Sequence, residues 1–172
     1  MRPERREGGI VAVVLNWNGG EDSLACLESL AAAGVETICV DNGSVDGSAD
    51  AAAARFPDVE LLRNGTNLGY AGGNNVGIRR ALERGAEWVW LVNNDATVAS
   101  DAPAALAMAA ELRPDAGVLA CKIYQADPPD VLWYAGGRFS TILGYSGRQD
   151  GYGKRDTAIA APLARSTSRS RS

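Results

Sequence analysis

The sequence predicts an α/β domain, a mostly parallel sheet with helices on both faces. Short apolar runs rich in β-branched residues alternate with stretches of helical periodicity, and the links between them are short. The apolar runs are also unbroken by charge, as expected of strands covered on both faces.

The first strand is Ile10–Leu15 (IVAVVL). Glu21–Ala33 comes next, with Leu24, Leu27 and Leu30 at helical spacing, acidic residues where a helix N-terminus favours them, and Gly34 as its stop. Glu36–Val40 is the second strand, and Ser48–Arg55 a short Ala-rich helix closed by Pro57. The third strand is Val59–Leu62, succeeded by a helix over Asn75–Arg84. Trp88–Val92 is the fourth strand, Ala102–Leu112 a helix and Gly117–Tyr124 a fifth strand. Residues 10–125 therefore read as one sheet-and-helix core. Residues 126–157, rich in Gly, Pro and aromatics, suit irregular strands near Leu132–Tyr134 and Phe139–Leu143. Residues 158–172 carry no apolar pattern, and Ala164–Ser172 is expected to be disordered.

Composition narrows the function classes. The 172 residues carry a formal charge of −4. Three Arg and two Glu fall in the first nine residues and three Arg in the last twelve, leaving 11 basic and 19 acidic groups between them. Such an acidic body lacks the positive stripe that nucleic-acid backbones require, so no nucleic-acid partner is expected. No apolar run is long enough for a transmembrane segment, and Met1–Gly9 lacks a signal peptide's apolar centre. The expected compartment is the cytoplasm, with peripheral association at the inner face of the membrane left open. Cys26, Cys39 and Cys121 lie in apolar segments and read as buried thiols. There is no histidine. Any catalysis must therefore use carboxylates, amides, backbone or a hard cation.

The informative residues are those at the end of each strand, because ligands of open parallel sheets bind outside the strands' carboxyl ends. The first strand runs into Asn16-Trp17-Asn18-Gly19, the second into Asp41-Asn42-Gly43-Ser44, the third into Arg63-Asn64-Gly65-Thr66-Asn67, and the fourth into Asn93-Asn94-Asp95. Each cluster taken alone is ordinary turn chemistry. Four such clusters at one sheet edge point to a binding site. Neither GxxxxGK[ST] nor GxGxxG after the first strand occurs, which argues against P-loop enzymes and dinucleotide oxidoreductases. Asn67–Gly77 (NLGYAGGNNVG) opens a helix with small residues and free amides, an arrangement that favours an anion. Asp95, flanked by carboxamides, offers oxygen to Mg²⁺ or Mn²⁺ if a diphosphate supplies further ligands.

In combination, VVLNWNG (Val13–Gly19), VDNGSVDGS (Val40–Ser48), NLGYAGGNNVGI (Asn67–Ile78) and LVNNDA (Leu91–Ala96) resemble the family 2 glycosyltransferases, nearest the rhamnosyltransferase-like branch. The resemblance covers Ile10–Tyr124. It implies a GT-A-type (Rossmann-like) fold, a nucleotide-diphosphate sugar donor, a glycan or lipid-linked acceptor, Mg²⁺ or Mn²⁺, and inversion at the anomeric carbon. Carried over by position, Asn16 and Asn18 lie against the nucleoside, and Asp41 bonds the base or ribose in a turn shaped by Asn42 and Ser44. Asn67, Gly69 and Asn74 lie along the diphosphate. Asn93, Asn94 and Asp95 match the family's DxD-like segment, with Asp95 on the metal and Asn93 in place of the first carboxylate.

By the same resemblance, residues 10–125 are the nucleotide-sugar-binding half and 126–157 the start of the acceptor half. Residues 158–172 do not look like family sequence, which is the expectation for truncation or a shifted reading frame. The family's acidic motif carrying the general base has no match, so none of Asp127, Asp130, Asp150 and Asp156 is assigned that role. The alternative is a nucleotide-sugar-binding fragment that does not catalyse. A sugar nucleotidyltransferase fits less well, because Asn16–Gly20 (NWNGG) lacks the Arg and Lys expected in its first loop.

Overall fold

The computed structural model describes residues 9–140, 145–156 and 165–168. The chain divides into two compact units, Met1–Asp95 and Ala96–Ser172.

The first unit is the predicted parallel α/β layer. Its elements are β1 (Ile10–Asn16), α1 (Gly20–Ala32), β2 (Glu36–Asp41), α2 (Ser48–Arg55), β3 (Glu60–Arg63), α3 (Gly69–Glu83) and β4 (Trp88–Asn93). The four strands lie in the order β3-β2-β1-β4, all parallel, with Val14 opposite both Cys39 and Val92. The chain winds outward from β1 to β3, then returns across β1 to place β4 on its other side. The winding therefore reverses between β1 and β4, the kind of position where open α/β sheets bind ligands.

The pleat sorts β1 onto two cores, because alternate side chains point to opposite faces. Val11 and Val13 join Ile38, Val40 and Ala81 of α3 in one fully covered cluster, with Leu15, Leu62, Val76 and Val89 against it. Ala12, Val14 and Cys39 are completely buried on the opposite face, as are Cys26, Leu27 and Leu30 of α1. Each such leucine contributes roughly 1.5–3 kcal/mol through burial. Helix α3 comes close enough to bury β1 because it carries glycine where it crosses the sheet. A Cβ on Gly77 would lie 2.4 Å from Val13 Cγ1, and one on Gly73 2.4 Å from Leu15 Cδ1. Its far end is tied down by Arg84, which pairs with Glu36 and, at 2.6 Å, with Glu60; Arg80 reaches Glu60 at 2.7 Å.

The second unit contains β5 (Ala96–Val98), α4 (Ala102–Leu112), β6 (Lys122–Gln125), β7 (Leu132–Tyr134), β8 (Gly137–Ser140), β9 (Tyr145–Gln149) and β10 (Arg165–Ser168). One sheet has the order β5-β10-β6-β7, and β8 pairs antiparallel with β9. The buried Asp156 carboxylate accepts hydrogen bonds from Tyr124 Oη at 2.5 Å and Lys122 Nζ at 3.1 Å.

Three expectations change here. The fifth strand does not extend the parallel sheet: only Lys122–Gln125 is a strand, in the second sheet, while Gly117–Cys121 is unpaired and Val118 is 87% exposed. An apolar β-branched run forms a strand only where a partner edge receives it, and composition does not report that. Helix α3 begins six residues earlier than Asn75, because close packing on the sheet overrides the poor helix propensity of its glycines. Arg165–Ser168, within the segment expected to be disordered, pairs parallel with β6 and antiparallel with β5. Backbone ladder bonds serve any non-proline sequence, so a polar run can fill a sheet without an apolar signature. The second irregular strand is Gly137–Ser140, and residues 141–143 of that expectation lie outside the described residues.

Candidate functional site

All four polar clusters sit at the carboxyl ends of β1–β4, around a cleft of about 310 Å³ lined by Leu15, Trp17, Asn42, Asn67, Gly69, Tyr70, Asn74, Val92, Asn93 and Asn94. Every lining residue belongs to the first unit. Asn16 and Asp41, which do not line the cleft themselves, form a buried polar cluster behind its first and second loops.

Asn16 and Asp41 are opposite one another across β1 and β2, and both are buried. Asn16 Nδ2 donates to Asp41 Oδ1 at 3.3 Å, Ser44 Oγ at 3.1 Å and Ser48 Oγ at 2.9 Å. Its Oδ1 accepts from Ser23 Oγ at 2.8 Å and the Gly19 amide at 3.3 Å. Asp41 Oδ1 also accepts from the Ser44 amide at 3.3 Å. Asn18, in the left-handed region with φ of 50°, accepts from the Val45 amide at 2.8 Å, while its own amide donates to Ser44 Oγ at 3.0 Å. The first and second loops thus clasp each other. Asp46 adds a second clasp, accepting from Ser48 Oγ at 2.5 Å and from the amides of Ser48 and Gly20 at 3.0 Å. Those bonds, Ser48's foremost, hold its carboxyl below the usual carboxylate range.

The third loop is organised by Asn42, only 2% exposed. Its Nδ2 donates to Asn67 Oδ1 at 2.8 Å and the Gly69 carbonyl at 3.3 Å, and its Oδ1 accepts from Asn64 Nδ2 at 3.1 Å and the Leu68 amide at 3.0 Å. Asn67 Oδ1 accepts from the Gly69 amide at 2.7 Å, and Asn74 Nδ2 donates to the Tyr70 carbonyl at 2.9 Å. Loop and helix start are fixed before any ligand arrives, which reduces the ordering entropy of binding.

At the end of β4, Asn93 Oδ1 accepts from Tyr70 Oη at 3.2 Å, and Asn94 Nδ2 donates to Ser23 Oγ at 2.9 Å. Asp95 is exposed in the turn beyond them. No group of three or more Cys, Asp or Glu able to hold a metal by itself occurs among the described residues. One exposed carboxylate beside carboxamide oxygens fits Mg²⁺ or Mn²⁺ in the mode where substrate phosphates complete the coordination shell, and does not fit an all-protein cage.

The structure thus gathers Asn16, Asn18, Asp41, Asn42 and Ser44 at one end of this edge, and Asn67, Gly69, Asn74, Asn93, Asn94 and Asp95 along the third and fourth loops. Four residues that contribute here are not among the site residues expected from the sequence. Trp17 and Tyr70, 55% and 64% exposed, form aromatic walls, and neither exposure is legible in a motif. Asp46 lies inside a turn cluster and looks like any other turn carboxylate. Ser23 does leave a signal: it occupies the helix stripe continued by Cys26, Leu27 and Leu30, so a hydroxyl falls where an apolar residue is expected.

Residues 12–170 match the family model described as glycosyl transferase family 2. The N-acetylglucosaminyl-diphospho-decaprenol L-rhamnosyltransferases of two Mycobacterium tuberculosis strains, CDC 1551 / Oshkosh and ATCC 25618 / H37Rv, are each 35% identical over 115 residues, 62% of this chain and 38% of theirs. The chain thus spans well under half the length of these relatives. Crystal structures of S. aureus TarS 1-349 superpose with a TM-score of 0.57, covering 80% of this chain at 20% identity and 43% of that one. A form in complex with UDP-GlcNAc gives the same TM-score at 21% identity, with 80% and 41% covered. At that identity the likeness concerns the fold.

Proposed function

The chain belongs to glycosyl transferase family 2, and from that premise we propose that its cleft binds a nucleotide-diphosphate sugar and serves sugar transfer to a glycan or lipid-linked acceptor. The observation that carries this is the convergence of four pre-ordered strand-end loops on one cleft at the β1/β4 reversal. Asp41, oriented by the internally bonded Asn16 amide, provides a carboxylate suited to a nucleoside. The Asn67–Asn74 segment provides small residues and amides suited to a diphosphate. Asp95 would hold Mg²⁺ or Mn²⁺ together with donor phosphates, and such a cation neutralises charge on a departing diphosphate. Rhamnose is the proposed sugar and a polyprenyl-linked glycan the proposed acceptor, because the mycobacterial relatives are named for that transfer. Inversion is proposed with family membership, and the proposed site of action is the cytoplasm at the inner face of the membrane. No helix of the described residues is long and apolar enough to cross a membrane.

Binding without transfer is the second reading, and the second unit supplies its observation. Of the acids weighed as a base, Asp156 is committed to Lys122 and Tyr124 and Asp130 to Arg155. A carboxylate so engaged is poorly placed to take a proton from an acceptor hydroxyl.

Thermal denaturation with UDP, dTDP and GDP, each with and without Mn²⁺, tests both readings. A nucleotide at a hundred times its dissociation constant stabilises by about 2.7 kcal/mol through linkage. Asp95→Ala should remove the Mn²⁺-dependent part of the shift. No shift with any of the three would refute both readings. Acceptor-dependent release of nucleoside diphosphate from a nucleotide sugar by this chain would decide for transfer.

A further inference from the structure

A chain of side-chain hydrogen bonds runs from the buried Asp41, Asn16 and Ser23 to the half-buried Asn94, and its polarity is fixed by groups that can only donate or only accept. A backbone amide only donates, so the Asn16 atom 3.3 Å from the Gly19 nitrogen is the carboxamide oxygen. Its nitrogen then faces Asp41, Ser44 and Ser48. Ser23 Oγ, 2.8 Å from that oxygen, must place its single proton there. With the proton committed, Ser23 Oγ can only accept from Asn94, whose nitrogen faces it at 2.9 Å. No described residue donates to Asn94 Oδ1, and Asn94 lines the cleft beside Asp95. The oxygen of Asn93, by contrast, already accepts from Tyr70.

We propose that Ser23 is a positioning residue that holds Asn94 with its carboxamide oxygen outward, as a second oxygen ligand beside Asp95 for a divalent cation. The proposal rests on the reading of the cleft as a nucleotide-sugar site. It explains how a segment with Asn93 in place of a first carboxylate can still present two oxygens to a hard cation. It also accounts for Gly19. A Cβ there would lie 2.0 Å from Ser23 Oγ, 2.3 Å from Asn94 Nδ2 and 2.8 Å from Asn16 Oδ1, so the space that a side chain would fill is the space the three relay atoms occupy.

The test is the Mn²⁺ affinity of the nucleotide-bound chain, measured by electron paramagnetic resonance of free Mn²⁺, with whichever of UDP, dTDP and GDP gives the largest thermal shift. Ser23→Ala should weaken Mn²⁺ about five- to tenfold, the worth of one hydrogen bond. Asn94→Ala should weaken it at least as much, and the double variant should be no weaker than Asn94→Ala alone, because Ser23 acts only through Asn94. Ser23→Thr, which keeps the hydroxyl, should restore most of the loss. Wild-type affinity in Ser23→Ala, or additive losses in the pair, would overturn the proposal. A wild-type chain that binds neither nucleotide nor Mn²⁺ would refute the functional reading itself. Should Ser23→Ala not fold, the unliganded wild type still decides: one Asn94 side-chain amide hydrogen, assigned by its loss in Asn94→Ala, should be protected from exchange. Exchange of both hydrogens at the rate of a free carboxamide would overturn the relay.

Discussion

Gly77→Ala is the sharpest test of how the cleft is held. The new Cβ would lie 2.4 Å from Val13 Cγ1 and 3.0 Å from Val40 Cγ2, where carbons prefer about 3.5–4.0 Å. Val13 and Val40 are fully buried in the two central strands, and β-branched side chains have little rotamer freedom with which to yield. Helix α3 must therefore move outward by roughly 1 Å or the strands must distort, at about 1–3 kcal/mol. Replacing a mid-helix glycine by alanine returns about 1 kcal/mol of helix propensity. The expected net loss is about 0–2 kcal/mol, or up to roughly 8 °C in Tm for a chain of this size. Because α3 carries Gly69, Tyr70 and Asn74, nucleotide affinity should fall as well. Val13→Ala makes room, so urea unfolding of the two single variants and the pair, monitored by tryptophan fluorescence, should show losses that fall short of additivity by about 1 kcal/mol or more. Additive losses, or a Gly77→Ala chain more stable than wild type, would refute the close-packing account.

Three further outcomes are expected. Asp41→Asn removes the buried charge proposed to meet the nucleoside, and calorimetry should show nucleotide affinity lower by about tenfold or more; unchanged affinity would take Asp41 out of the site. Burial first, then Cys39 and Asp95, pushes Cys26 up to about 12; burial first, then Asp41, outweighing Arg63, does the same for Cys39. Both thiols should resist a disulfide reagent at pH 8 in the native state. Their stability contribution should be complete below about pH 9, the unfolded value, and be lost as pH rises toward 12, which urea titrations at stepped pH would measure. Burial raises the Glu60 carboxyl, but Arg80 and Arg84 together outweigh it and hold it below its ordinary value. That contribution is present above the ordinary glutamate range and lost as pH falls, so Glu60→Gln should flatten the acid limb of the stability profile.

The first unit was legible because its signals are local. Parallel strands buried on both faces are apolar end to end, and β1, β2 and β4 each run one residue beyond the apolar stretch that marked them, into Asn16, Asp41 and Asn93. Those added residues are among the candidate site residues: ladder pairing continues past the core and carries polar side chains to the strand tips. The convergence of the four clusters could be read because a parallel sheet puts all its carboxyl ends on one side. Partner choice could not be read. Gly117–Cys121 has strand composition without a receiving edge, whereas Arg165–Ser168 has an edge without strand composition. Hydrogen-bond direction was equally hidden, since the sequence places asparagines at 16, 93 and 94 but says nothing of which end of each amide faces the cleft.

The strand order has a consequence in time. Ile10 pairs with Trp88 across 78 residues of chain, whereas Val11 reaches its β2 partner Glu36 across 25. Contacts of long sequence separation form late, because the intervening chain must be closed first. The β1–β4 seam is thus the last part of this sheet to zip, and the cleft straddles it. During synthesis a nascent chain can hold β1, β2 and β3 together and still offer the proposed nucleotide nothing complete until Asn93 and Asn94 have emerged. Ligand binding by this unit is therefore a reporter of finished folding.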